Sequence, residues 1–417
     1  MKTLQLLFAI TGGIICIQSS TIHGADWPGY RGMNGDGISA EKLNFNWTAT
    51  PPKVLWKVPA NTGFSSFSIA GGKAFTQVVR EINGASREIC VALDAATGKE
   101  LWFADVAVGS GYSGGGKGDG PRATPAVSEG IVYVLSPDLV LHALTADSGK
   151  PVWTHDLIME YAAHNIGWNS AASPVIDGDL VFIMGGGRDQ ALLAFNKKSG
   201  QLAWKSGTES ITHATPVVAN ILGERQVIFY CQSGLVSLAV KDGKLLWKFP
   251  YPFKVAAAAS PVVSGDIVYC SEAYNVGGGA CKITKQGFTY TATQLWQTPG
   301  NQEVANQWST PVCIDGFLYG MFGTKGAELK CVEIATGKVR WAQPGYGQGN
   351  AISAGGKVLA LAENGDLIAV EPSPDAYKEL GRFKAVAGKC WSTPAVSNGC
   401  IFVRSTEDAT CLQCPAQ

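Results

Sequence analysis

The residues best suited to chemistry stand in loops that run into proline-started strands: Arg122, His164, Asn165, Trp168, Asn169, His213, Asn306, Gln307, Trp308, Gln348, Asn350, Lys389 and Trp391. Indole faces stack on rings, while amides and imidazoles donate and accept hydrogen bonds, so such side chains converging from different segments suit a planar or sugar-like ligand in a concave site. Arg122, His164, Trp168, Asn169, His213, Asn306, Trp308, Lys389 and Trp391 are the expected ligand-binding set. The competing use of the same residues is structural, with indoles wedged between elements and amides satisfying loop backbone. Among the five histidines, His23 lies near the N-terminus and His142 falls on a strand. For His164 and His213 a hydrogen-bonded structural imidazole is expected over a proton shuttle.

No catalytic constellation accompanies these residues. Zinc-type spacing of His and Cys is missing, as are a Walker loop and a Gly-x-Ser-x-Gly elbow. Cys411-Leu-Gln-Cys414 is followed by Pro415 rather than the histidine of a haem attachment site. The stretch GSGYSGGGKGDGPR (109–122) is glycine-rich but leads into a strand, so no helix dipole is offered to a phosphate. Asn34-Gly35-Asp36-Gly37 lacks the register of a calcium loop. We therefore assign no catalytic residue and no metal ligand. Of eleven cysteines, Cys90, Cys331 and Cys411 occupy places where other copies of the repeat described below have leucine, which points to buried core thiols. Cys270 and Cys281 are the best-placed pair for a disulfide across one hairpin.

The chain is 46% hydrophobic and 16% charged, with 51 glycines and a formal net charge of +0. That suits short buried strands joined by tight turns and excludes the basic footprint of a nucleic-acid binder. Residues 1–25, with Lys2 and an apolar stretch from Leu4 to Ile17, read as a signal peptide cut near Ala25, an uncleaved anchor being the alternative. Ile15 before Cys16 argues against a bacterial lipoprotein. Later segments are too short to cross a membrane as helices, so a periplasmic or secreted location is expected.

What positions the loops is a repeat of roughly 45 to 50 residues. ALDAATGKELW (92–102), LTADSGKPVW (144–153), FNKKSGQLAW (195–204), VKDGKLLW (240–247) and EIATGKVRW (333–341) are each a strand, a turn with Gly, and a strand bearing Trp. Glycine is expected there because tight hairpins call for positive φ. Between them recur ATPAV (123–127), ASPVI (172–176), ATPVV (214–218), ASPVV (259–263), STPVC (309–313) and STPAV (392–396). Each is a small residue, Ser or Thr, and a Pro opening an apolar strand, where its missing N–H does least harm. Residues 64–79 and 349–372 are copies without the Pro. The last copy ends after three strands, and VLWKV (54–58) is an unaccompanied Trp strand that supplies the fourth. The expected fold is all-β: an eight-bladed β-propeller of four-stranded antiparallel blades, closed by strand 54–58 joining the C-terminal blade. Seven blades is the alternative, because the copy ending near Leu380 lacks its Trp. The domains are then the signal segment 1–25, a leader 26–53 and one propeller, 54–417.

The motif ALDAATGKELW resembles the PQQ-like β-propeller repeat, a family that includes the quinoprotein alcohol dehydrogenases and the outer-membrane assembly lipoprotein BamB. DWPGYRGMNGDGIS (26–39) is similar to the Trp-Pro-x-x-Arg-Gly leader of secreted propellers and is expected to pack along one face of the ring. The dehydrogenases hold PQQ between a Trp and a disulfide of adjacent cysteines, with Ca²⁺ and an Asp base. This sequence has no adjacent cysteines and no Asp matching that base. The resemblance therefore implies a binding or scaffolding module, its partner an envelope protein, a polysaccharide or a small molecule. The alternative is a PQQ-dependent alcohol or sugar dehydrogenase, and PQQ with calcium enters only under it.

Overall fold

A computed structural model describes residues 26–109 and 120–414. The expected signal peptide and most of the glycine-rich loop lie outside the described residues. The chain forms a ring of eight antiparallel four-stranded blades, spanning 68–108, 126–156, 175–206, 217–250, 262–298, 312–343, 350–384 and 395–413, the last completed by Lys53–Pro59. In that closing blade Val54 pairs with Leu412 and Trp56 with Cys411. The first and last strands thus share a sheet, and no blade is left with an uncovered face. The first strand of each blade is innermost, touching its counterparts in neighbouring blades. Eight blades, not seven, are present.

The repeated Trp and Gly form one device that joins consecutive blades. A methyl group added at Gly98, Gly149, Gly200, Gly243 or Gly337 would sit 2.6–2.9 Å from the indole of Trp56, Trp102, Trp153, Trp204 or Trp296, respectively. Each of these tryptophans comes from the preceding blade, and its Nε1–H donates to a turn carbonyl of the next: to Ala95, Ala146, Lys197, Val240 and Ile334 at 2.8–3.1 Å. The turn glycine is therefore required twice, for its positive φ of 66–74° and for the space the ring occupies. Trp247 departs from the pattern and donates to Gln226 of its own blade at 2.8 Å. The turn it would meet is replaced in the fifth blade by the long hairpin Gly277–Gln286 and Thr289–Thr298.

In the seventh blade Gly381 occupies the Trp position, opposite Ala369. The leader fills the gap: Trp47 packs on Gly381, and Leu43, Phe45 and Trp47 are buried there. Earlier in the leader the chain departs from the expected path along one face and crosses the channel. Trp27 bridges to Ile69, and the Pro28 carbonyl accepts from Val127 N–H. On the far side Arg31, 1% exposed, donates to the carbonyls of Thr310, Pro311 and Ala351. Ile38–Ser39 then adds as a parallel strand to the seventh blade. A guanidinium with five donors satisfies several carbonyls at the innermost strand starts at once.

Cys90, Cys331 and Cys411 are fully buried in the core. The Cys270–Cys281 disulfide does not form. Cys270 faces Gly279 and Cys281 faces Val268 across the ladder, and both thiols are free and buried. Desolvation pushes the Cys281 thiol up to about 12, so it stays protonated and unreactive.

Candidate functional site

The Ser or Thr before each proline belongs to a belt around the channel. Thr393 N–H donates to Ser66 Oγ at 2.8 Å, Ser66 N–H to Thr124 Oγ1 at 3.1 Å, and Thr124 N–H to Ser173 Oγ at 2.9 Å. Ser173 N–H donates to Thr215 Oγ1 at 2.9 Å, and Ser260 N–H to Thr310 Oγ1 at 2.9 Å. Each hydroxyl satisfies a buried N–H of the preceding blade, worth about 1 kcal/mol apiece. In the seventh blade the belt position is Asn350.

The belt fixes what lies two residues upstream in each loop. Three residues before each proline, or before its equivalents Phe67 and Ala351, stand Phe64, Arg122, Ala171, His213, Ala258, Trp308, Gln348 and Trp391. In every blade except the seventh this residue lines a single cavity of about 290 Å³ at one mouth of the channel. The blade seven contribution is Asn350 instead. Phe64 stacks on Trp391 with centroids 4.7 Å apart, and Trp391 meets Trp308 at 4.4 Å, giving a continuous aromatic wall from three blades. Across from it are Arg122, Trp168 and His213 with the small Ala171 and Ala258. Tyr30 of the leader also lines this cavity, and a smaller one of about 70 Å³ on its other side, so the strap is the floor.

Carboxylates outside the cavity hold its walls. Glu363 Oε1 accepts from Trp391 Nε1–H at 2.8 Å, and Glu272 Oε1 accepts the N–H groups of Lys254, Val255 and Ala256 at 2.8–3.2 Å. Three wall residues keep a buried polar atom without a partner: His213 Nδ1, Trp308 Nε1 and Asn350 Oδ1. His213 Nε2–H donates to the Gly167 carbonyl at 2.8 Å, which leaves Nδ1 as the acceptor. Desolvation, reinforced by Arg122, lowers the His213 pKa and keeps the ring neutral. Asn350 Nδ2 donates to the Trp391 carbonyl at 2.7 Å, so its free atom is likewise an acceptor.

The structure thus brings Arg122, Trp168, His213, Trp308 and Trp391 together on one cavity wall system. It does not bring the other four. Asn306 is fully buried, accepting from Tyr269 Oη and donating to the Met321 carbonyl, because the hydroxyl and carbonyl beneath the loop need an amide. His164 is exposed outside the cavity, and Asn169 is a turn residue at φ 59° whose Oδ1 faces Asn165. Lys389 is exposed and lies with Nζ 4.4 Å over the Trp391 ring, outside the lining. Phe64, Tyr30, Tyr274 and the belt hydroxyls are not among the expected residues, although the fixed offset, counted from Phe67 in the place of the proline, reaches Phe64.

The calcium of the dehydrogenases does not fit this lining. It holds no Asp, Glu or Cys, and among the described residues no group of three or more His, Cys, Asp or Glu is placed to hold a metal ion. Calcium demands several oxygen ligands with carboxylate charge among them.

Against known proteins, a family profile described as "Outer membrane protein assembly factor BamB" matches residues 86–287. BamB of Yersinia pestis is 22% identical over 336 residues, 77% of this chain and 81% of that protein. Among solved structures, BamB from Moraxella catarrhalis superposes with a TM-score of 0.61 at 13% identity, covering 88% of this chain and 98% of that one. Quinohemoprotein alcohol dehydrogenase from Comamonas testosteroni superposes with a TM-score of 0.65 at 12% identity, covering 94% and 81%. At such identities the superpositions speak for the fold alone.

Proposed function

We propose, from the premise that this chain is a β-propeller of the PQQ-like repeat family, that it is a binding module that holds a ligand at one mouth of its channel. The observation that carries this reading is the cavity wall: one position of the repeat, varied from blade to blade, supplies a wall residue from seven of the eight blades, while the framework positions vary far less. Loops carried on a rigid scaffold are where recognition is usually built. We place the protein in the periplasm or outside the cell, in line with its likeness to BamB proteins, and an envelope protein could dock on the same loop-bearing face. The rival, a PQQ-dependent dehydrogenase, is disfavoured by a lining without carboxylates.

The test uses the full chain with PQQ, Ca²⁺ and a panel of alcohols and sugars in a dye-reduction assay, alongside calorimetry with PQQ. A binding module gives no turnover and no PQQ heat. Dye reduction that depends on added PQQ would replace this reading with the rival.

A further inference from the structure

The geometry points to a neutral saccharide as the ligand of the mouth cavity: a mono- or disaccharide, or the terminal residues of a longer glycan. The inference rests on the binding-module reading and specifies its ligand. Three features carry it. First, Phe64, Trp391 and Trp308 form a wall of joined rings, suited to the flat C–H face of a pyranose. Second, the unpartnered atoms are of mixed kind. His213 Nδ1 and Asn350 Oδ1 accept, whereas Trp308 Nε1 donates. A hydroxyl does both, so a sugar offers a partner of either kind, and each buried group left unpaired costs about 1–3 kcal/mol. An acceptor-only planar anion would answer Trp308 and Arg122 but leave His213 and Asn350 with no donor. Third, the cavity is small and blind. At about 290 Å³ it is at the low end of ligand sites, and the strap through Tyr30 and Arg31 closes its floor. A polymer cannot thread the ring, so only a small sugar or a chain end can enter.

The experiment titrates the full chain with neutral hexoses, N-acetylhexosamines and their α- and β-linked dimers and longer oligomers, by calorimetry and tryptophan fluorescence. Benzene-1,2,4-tricarboxylate serves as the planar, acceptor-only control. At least one saccharide binds and the control does not. Trp308→Ala lowers its affinity about tenfold or more, and Trp308→Phe, which keeps the ring and removes the N–H, lowers it about fivefold. His213→Phe gives a loss of about fivefold as well. Oligomers that bind as tightly as the matching dimer identify a chain end as the source, and oligomers that fail identify a free sugar. Binding of the control without any saccharide overturns the saccharide and leaves the binding module standing. If neither class binds, and a broad library of small polar compounds raises no melting temperature, both readings fall. Circular dichroism confirms that each variant is folded.

Discussion

The rim and the mouth of this ring are built from the same repeat and obey opposite rules. At the rim, Trp102, Trp153 and Trp204 meet the same glycine and donate to the same kind of turn carbonyl, blade after blade. At the mouth, one equivalent position carries Phe, Arg, Ala, His, Ala, Trp, Gln and Trp in turn. Both regions are tightly held, the rim by ring-in-turn packing and the mouth by belt hydroxyls and the carboxylates of Glu272 and Glu363. Uniformity therefore reflects a task that every blade shares, which is joining its neighbour. Variety at an equally rigid position reflects a task that only the assembled ring can perform.

Several substitutions would break or sharpen this contrast. The largest effect is expected at the floor of the mouth. Arg31→Ala strips donors from the carbonyls of Thr310, Pro311 and Ala351, and should lower the unfolding free energy in urea by about 3 kcal/mol. At the rim, Gly149→Ala places a methyl 2.6 Å from the Trp102 ring at φ 66°, and should cost about 2–3 kcal/mol by the same measurement. An unchanged stability would mean that the ring does not need the turn's open space. Ser173→Ala removes the acceptor of Thr124 N–H in the belt and should cost about 1–2 kcal/mol. Trp308→Ala loses no hydrogen bond and only the ring contact with Trp391, and should cost about 1 kcal/mol.

The smallest effect is on pH dependence. Burial lowers the His213 pKa from its ordinary 6.5, with Arg122 as the charged neighbour acting in the same direction. The folded state thus favours the neutral ring, and its contribution to stability is lost as pH falls through the histidine range rather than as it rises. Ligand affinity should be level from about pH 8 to pH 6.5 and decline only below that, as the Nδ1 acceptor becomes protonated. Affinity that climbs on acidification would contradict an acceptor role.

The legible part of the structure is what repeats. Copies such as ALDAATGKELW announce blades, and the unaccompanied strand around Trp56 announces closure, because a single sheet edge has to be covered. Less legible is why the glycine is there, since positive φ explains it without the Trp ring that enters from another blade. The leader is the least legible, because Arg31 and Trp47 act on parts of the ring some 280 to 335 residues away, and nothing local marks a guanidinium as a carbonyl clasp. Asn306 stands in the same strand-entry loop as Trp308, yet side chains two apart in a loop face different surroundings, and the buried Tyr269 hydroxyl claims the amide. Gly381 shows the same limit from the other side: a missing Trp suggests one blade fewer, yet the blade is present and the leader's Trp47 packs on the glycine.

The central claim is that ligand recognition resides in the mouth and not at the rim, and the tryptophans report on both. In a transverse-relaxation-optimised ¹H–¹⁵N spectrum of the labelled chain, titrated with the tightest-binding saccharide, the indole N–H signal of Trp308 should move. Those of Trp102, Trp153 and Trp204, committed to turn carbonyls, should stay in place. Shifts at the rim indoles with a stationary Trp308 signal would contradict the claim.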